Sequence, residues 1–209
     1  MKRAVSPLRS GSLAAIIFGS VLTVTNAVGG VVRIPSGSME PTIQVGDYIV
    51  VNRLAYGLHV PFSATLEVAR WDAPKRGDIV IFNAPRRASA SESLFIKRTV
   101  ALAGDVVEVR DHLLTVNGEP ADYLLAAPGT LREGFGAGPT HEIHVGPANT
   151  SDFGPYQVPE GHIFVMGDHR DDSADSRIWG PLELNRVRGK AVARAAHVGL
   201  PPGGPSALN

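Results

Sequence analysis

Two short segments carry side chains that together can supply a nucleophile and its base. The first contains Ser36 and Ser38 on either side of a glycine, between Pro35 and Pro41. Proline at both ends keeps this backbone out of helices and sheet ladders, so the segment can expose a hydroxyl and direct backbone N–H groups at a substrate carbonyl. Taken alone, the segment is more typical of an ordinary Ser/Gly/Pro turn.

The second segment is an apolar run, residues 94–101, with a lysine in its middle. Alternation along a strand places Phe95, Lys97 and Thr99 on one face. Burial lowers the pKa of a lysine, and a neutral amine can accept the proton of a serine hydroxyl. Lys97 is therefore a candidate general base. The alternative is a lysine on an edge strand whose amine extends into water.

A third segment, residues 166–177, contains four aspartates, but their spacing does not match a calcium-binding loop. His141 and His144 are three apart in an extended segment and would face opposite sides, so we expect no metal and no cofactor. The acidic segment can instead belong to a salt-bridged network, which would comprise Arg98, Asp168, Asp175 and Arg177.

The elements that must position these residues look like strands. Gly-Asp followed by a β-branched run occurs at 46–51, 77–82 and 104–109, and each predicts a turn that leads into a strand. An Asn-Gly turn predicts a hairpin at 116–120. Further strands are expected at 94–101, 113–116, 141–145, 162–166 and 190–197. Residues 120–160 are rich in Gly, Pro and Ala and predict loops with short strands, so the body should be mainly β.

Composition excludes several classes of protein. The chain has 209 residues and no cysteine, which rules out a disulfide scaffold, a thiol nucleophile and a Cys-ligated zinc site. Its 20 basic and 20 acidic residues give no net charge, so we expect no nucleic-acid partner. The balance is uneven, however, because no acid precedes Glu40.

The basic N-terminus leads into an uncharged stretch, residues 10–32. As a helix these residues would extend about 35 Å, enough to cross a bilayer. Lys2, Arg3 and Arg9 would keep the N-terminus in the cytoplasm and place the rest of the chain outside. A cleaved secretory signal and a buried core helix are the alternatives to an anchor. A shorter span that ends near residue 26, with 27–34 already a strand, is a further alternative.

The three segments together resemble the bacterial type I signal peptidases, a family of membrane-anchored Ser–Lys peptidases. The resemblance covers about half the chain. Its motifs follow in order: IPSGSMEPTIQVGDYIVVNRLAYG, then RGDIVIF with FIKRTVALAGDVVEV, then GDHRDDSADSRIWGPL. It implies a mainly antiparallel β fold with two sheets, like that of signal peptidases and LexA-like self-cleaving repressors, and one N-terminal transmembrane helix.

The resemblance also implies a role for individual residues. Ser38 matches the nucleophile, Lys97 the general base, Ser36 the oxyanion-hole hydroxyl and Ser173 the serine that orients the lysine. The supporting positions are Arg98, Asp168, Asp175 and Arg177. The positions that line the substrate pockets are Val32, Ile34, Ile43, Ile49, Phe95 and Ile96. Small apolar pockets fit cleavage after Ala-x-Ala.

These expectations define a domain organisation, a set of partners and two alternative functions. We expect a cytoplasmic N-terminus and anchor at 1–30, a peptidase domain outside the bacterial cytoplasmic membrane at 31–200, and a flexible tail at 201–209. The partners would be signal-peptide-bearing preproteins and membrane lipid, and the protein a monomer. The nearest rival is a specialised peptidase of the same chemistry that matures a pilin in a conjugation system. A non-enzymatic, membrane-anchored β module is the alternative from another class.

Overall fold

The computed structural model describes residues 29–59, 66–89, 93–136, 138–146, 152–197 and 206–207. Within these ranges lie 17 strands, one short α-helix and one 3₁₀ turn. They contain no helix long and apolar enough to cross a membrane. Most of the expected anchor, residues 1–28, and most of the expected tail lie outside the described residues. Residues 29–32 of the uncharged stretch belong to a strand rather than a helix.

The largest sheet carries the segments that the sequence singled out. Its strands, in spatial order, are β1 (Gly29–Arg33), β2 (Asp47–Asn52), β16 (Val187–His197), β5 (Ile79–Asn83), β6 (Leu94–Ala101), β14 (His162–Met166) and β15 (Leu182–Glu183), with β17 (Ser206–Ala207) beside β16. Neighbouring strands are antiparallel throughout. The sheet thus places β6, which carries Lys97, between β5 and β14.

Three smaller sheets complete the described part of the chain. A four-stranded sheet has the order β13 (Phe153–Gln157), β7 (Val106–Arg110), β8 (Leu113–Val116), β9 (Glu119–Pro120). A three-stranded sheet has the order β10 (Asp122–Ala127), β11 (Thr130–Gly134), β12 (His141–His144). A two-stranded sheet pairs β3 (Gly57–His59) with β4 (Glu67–Arg70). Helix α1 (Ser176–Trp179) precedes β15, and the 3₁₀ turn is Leu184–Arg186.

The turn chemistry read from the sequence is confirmed. Gly46, Gly77 and Gly104 all have φ near +90°, a conformation that glycine adopts without a steric penalty, and each precedes the expected strand. Asn117 and Gly118 have φ of 56° and 81°, as a tight hairpin turn requires, and they join β8 to β9.

One expectation about the architecture needs correction. The mainly antiparallel β fold is observed, but the described residues form four sheets rather than two. Residues 120–160 contain short strands of four to six residues, as expected, and these form the whole three-stranded sheet and β13. The six-residue strand β10 buries none of its side chains, and Leu124 and Leu125 are 66% and 77% exposed. A strand without a buried face lacks the alternation by which a strand is recognised.

The core is divided by the large sheet. One cluster packs beneath residues 34–43 on one face and includes Ile49, Ile79 and Ile81. The second packs Val80, Phe82 and Val165 against Trp179 of α1 on the other face. A third lies between β14 and the four-stranded sheet. Strand β6 contributes to all of this packing, because Phe95, Ile96 and Val100 belong to different clusters.

Candidate active site

Residues 34–43 form a turn fixed to the core at both ends. Ile34, Met39 and Ile43 are at most 1% exposed, so burial of apolar area holds the turn against the large sheet. The N–H of Glu40 donates to the carbonyl of Gly37 at 2.9 Å, which closes the turn around Ser38. The side chain of Ser36 is exposed, whereas Ser38 is 8% exposed. The turn therefore exposes Ser36 to solvent and buries Ser38.

Ser38 lies directly against Lys97 of β6. Lys97 Nζ is 2.6 Å from Ser38 Oγ and 3.1 Å from the carbonyl oxygen of Ile96. Lys97 is only 4% exposed, and its amine lies 5.7 Å from the centre of the Phe95 ring. The expected proximity of Phe95 and Lys97 on one strand face is therefore observed. Burial lowers the pKa of Lys97 from 10.5 to about 8, a shift that the charges of Asp175 and Asp168 partly oppose.

Residues 167–175, which we call the aspartate loop, follow β14 and pass over the Ser38 turn. The N–H of His169 donates to the carbonyl of Ser38 at 3.2 Å. A side chain at Gly167 would collide with the carbonyl of Ser38 and would have its Cβ 2.6 Å from the Cβ of Ser173. Glycine at this position thus allows the loop backbone to approach the nucleophile segment closely.

Ser173 and Arg177 meet at Asp175. The hydroxyl of Ser173 donates to Asp175 at 2.7 Å, and Arg177 forms two hydrogen bonds of 2.9 Å with the same carboxylate. Asp175 also caps α1 and accepts the N–H of Gly167 at 3.0 Å. Burial alone would raise the pKa of Asp175, but these donors hold it below its ordinary value. The structure describes both Ser173 and Lys97, and they form no hydrogen bond with each other.

Arg98 and Asp168 form a second ion pair on the opposite side of β6. The guanidinium donates through Nε and Nη2 at 2.9 and 2.8 Å, and both side chains are 1% exposed. Thr42 adds a hydrogen bond of 2.5 Å to the same carboxylate. Burial would raise the pKa of Asp168, but Arg98 outweighs it and keeps the pKa low. The supporting residues named from the sequence thus form two separate pairs, Arg98 with Asp168 and Arg177 with Asp175.

The six apolar positions are not equally accessible. Four of them are buried core residues, namely Ile34, Ile43, Ile49 and Ile96. Val32 packs against the same cluster but remains partly exposed. Phe95 belongs to the cluster on the other face of the sheet, 6.1 Å from the ring of Phe82. Val32 and Phe95 are thus the two with surface left to contact a ligand in this structure.

Some residues of the site carried no recognisable signal in the sequence. Thr42 binds Asp168, and Arg170 binds Glu133 of β11 through two buried hydrogen bonds. A threonine in a turn has no spacing pattern of its own, and Glu133 lies in the region that we interpreted as loops with short strands. The described residues contain no group of three or more His, Asp or Glu that could hold a metal ion.

These contacts define a class of site: a sheltered serine hydroxyl bonded to a buried lysine amine, on an antiparallel β scaffold. A serine activated by an adjacent base is suited to acyl transfer through a covalent intermediate. The profile of the family described as "Signal peptidase, peptidase S26" matches residues 8–196. The chain therefore belongs to the signal peptidase family.

Individual relatives agree with this assignment. Signal peptidase I of Pseudomonas fluorescens is 42% identical over 158 residues, which cover 70% of this chain and 54% of the relative. Signal peptidase I of Pseudomonas aeruginosa is 39% identical over 73% of this chain and 56% of the relative. That of Haemophilus influenzae is 32% identical over 77% and 61%. The chain thus matches between about half and three fifths of the length of these relatives.

Proposed function

We propose that this chain is a membrane-anchored serine endopeptidase that removes N-terminal signal peptides from exported preproteins with a Ser–Lys dyad. The observation that carries the proposal is the 2.6 Å contact between Ser38 Oγ and the buried Lys97 Nζ. It occurs in a chain of the signal peptidase family, whose matched relatives are named Signal peptidase I. These names support the substrate class, and the contact supports the chemistry.

Acylation begins when neutral Lys97 accepts the proton of the Ser38 hydroxyl and the oxygen attacks the scissile carbonyl. The hydroxyl of Ser36 and the backbone N–H of Ser38 stabilise the oxyanion of the tetrahedral intermediate. Collapse of the intermediate breaks the peptide bond. The lysine proton passes to the leaving amine, which becomes the new N-terminus of the mature protein. The signal peptide remains bound to Ser38 as an ester.

Deacylation uses the same lysine a second time. Lys97, again neutral, removes a proton from water, which attacks the ester carbonyl. The signal peptide leaves as a carboxylic acid and the Ser38 hydroxyl is restored. The proposed role of Ser173 is to orient the amine of Lys97 in both steps, through a hydrogen bond that this structure, which describes both residues, does not contain. Because its hydroxyl hydrogen is directed to Asp175, its lone pairs are free to accept an N–H from Lys97.

Selectivity for small residues before the cleaved bond would come from the apolar surroundings of the dyad. Val32 and Phe95 supply the partly exposed walls. On the face of the sheet that carries Val32, the buried side chains of Ile34, Ile43 and Ile96 limit the depth available to a substrate side chain. Filling such a shallow pocket with a large side chain would produce a clash, so cleavage after Ala-x-Ala is favoured.

The anchor would keep this site at the outer surface of the bacterial cytoplasmic membrane. The uncharged stretch enters β1 at Gly29, nine residues before Ser38, and basic residues precede the stretch. With a cytoplasmic N-terminus, the dyad would face the outer leaflet, where a translocated preprotein still holds its signal helix in the bilayer. Membrane lipid and preproteins are therefore the proposed partners.

The test is cleavage of a model preprotein by the detergent-solubilised full chain, with cut sites determined by mass spectrometry. Wild type and Lys75→Ala, which alters an exposed lysine, should cut after Ala-x-Ala. Ser38→Ala and Lys97→Ala should not. Activity in either dyad variant would overturn the assigned chemistry. Cleavage of a pilin precursor alone would instead favour the specialised peptidase, and an inert wild type would favour the non-enzymatic module.

A further inference from the structure

The three-stranded sheet buries a charged cluster that the dyad chemistry does not use. Arg170 of the aspartate loop donates to Glu133 of β11 at 2.8 and 2.6 Å, and both side chains are 0% exposed. Tyr123 of β10 donates to the same carboxylate at 2.7 Å. His141 of β12 places Nε2 3.3 Å from Glu133 and 3.8 Å from Asp168. Each strand of the small sheet therefore contributes one side chain.

This cluster is attached to the part of the loop that touches the nucleophile. Arg170 Nε donates to the carbonyl of Gly167 at 3.2 Å, and Gly167 packs against the carbonyl of Ser38. The edge of the small sheet adds backbone hydrogen bonds of 2.9 Å, from the N–H of His144 to Asp168 and from the N–H of Arg170 to His144. The loop is thus held to the sheet by both side chain and backbone.

A buried ion pair contributes little net stability to a fold, because desolvation of the charges offsets their attraction. Desolvating two charges costs several kcal/mol each, and apolar side chains of similar volume often stabilise a core equally well. Burial alone would raise the pKa of Glu133, but Arg170 and His141 keep it well below its ordinary value, so the pair is charged. Its two parallel hydrogen bonds fix the direction of the guanidinium, and with it the position of the Gly167 carbonyl.

We propose that Glu133 and Arg170 are positioning residues for acyl transfer: they hold the aspartate loop against Ser38 and Lys97, with the small sheet as the support. The inference rests on the function proposed above. Neither residue touches the dyad, so each acts through Gly167 and its neighbours. A displacement of about 1 Å at a reacting centre can cost about 100-fold in rate, and that is the loss expected when the loop is released.

The variant must remove the positioning contact without leaving a buried charge. Glu133→Gln alone would strand the Arg170 guanidinium and can prevent folding. The double variant Glu133→Leu/Arg170→Met removes both charges and keeps apolar volume in the core. The matched control is Arg132→Met/Glu142→Leu, which removes an exposed ion pair of 3.4 Å between β11 and β12 of the same small sheet.

Two measurements on the full chain in detergent separate positioning from general loss of structure. In the first, the buried double variant should cleave a signal-peptide substrate with kcat about 100-fold lower and KM within about threefold of wild type. In the second, ¹³C-lysine labelling resolves the ε-methylene signals of the chain's four lysines, and Lys97 is assigned with Lys97→Arg. A released loop admits water to Lys97, so its titration midpoint should rise from about 8 towards 10.5.

The control variant should match wild type in both measurements. A Glu133→Leu/Arg170→Met protein with wild-type kcat and an unchanged Lys97 midpoint would overturn the proposal. So would a fall in kcat with the midpoint unchanged, because that reports only a smaller folded fraction. Tyr123→Phe gives a second variant that keeps every charge, and it should shift both readouts in the same direction by a smaller amount. The lysine titration needs no substrate, so it tests this inference even if wild type cleaves no signal peptide.

Discussion

The burial of Lys97 predicts the pH at which activity appears. Its pKa is lowered to about 8, and only the neutral amine can take the Ser38 proton. At pH 7 an unperturbed lysine is neutral in about one molecule in 3,000, whereas a pKa of 8 gives about one in ten. Burial therefore raises the competent fraction by about 300-fold. The value of kcat/KM should rise about tenfold per pH unit below pH 8 and level off above it.

The assay is the initial rate of cleavage of a fluorogenic peptide that spans an Ala-x-Ala site, from about pH 6 to about pH 10 at constant ionic strength. Lys75→Ala serves as the control because this exposed lysine lies outside the site, and its profile should superimpose on that of wild type. If kcat/KM continues to rise tenfold per pH unit up to about pH 10, the claim that burial lowers the pKa of Lys97 is refuted. If kcat/KM levels off above about pH 6.5, the base is a histidine instead.

Three further predictions concern the surroundings of the dyad. Lys97 binds fewer protons in the folded than in the unfolded chain between pH 8 and 10.5, so wild-type stability should rise across that window. The free energy of unfolding of Lys97→Met should accordingly exceed that of wild type by about 3 kcal/mol near pH 7, and this difference should disappear by about pH 10. Urea unfolding measures both values. Asp168→Asn leaves Arg98 buried without its counter-ion, which should cost about 3–5 kcal/mol and lower the melting temperature by about 6–20 °C in calorimetry. A shift below about 2 °C would contradict the pairing. Gly167→Ala places a methyl group against the carbonyl of Ser38 and should lower kcat by about 100-fold in the same peptide assay, and unimpaired turnover would show that the close approach is dispensable.

Local signals predicted much of the fold. Each Gly-Asp pair needs only its own backbone to form a turn, and glycine with φ near +90° was found at all three. Alternation along β6 likewise placed Phe95 beside Lys97. Of the three-stranded sheet, β12 was predicted as a strand at 141–145, whereas β10 was not, because Tyr123 alone of its six residues is partly buried and the strand has no apolar period. Glu133 of β11 was missed because nothing in its spacing indicates a partner such as Arg170, which lies 37 residues away in sequence.

The sequence by itself determined which side chains were available, which turns would form, and, through resemblance, which serine and lysine to pair. Tertiary structure decided how distant residues meet. Ser38 and Lys97 are 59 residues apart, and Thr42 and Asp168 are 126 apart. Their contacts depend on the register of β5, β6 and β14, which burial of the whole sheet fixes. The lowered pKa of Lys97 has the same origin, because desolvation depends on everything packed around the amine and not on its neighbours in sequence.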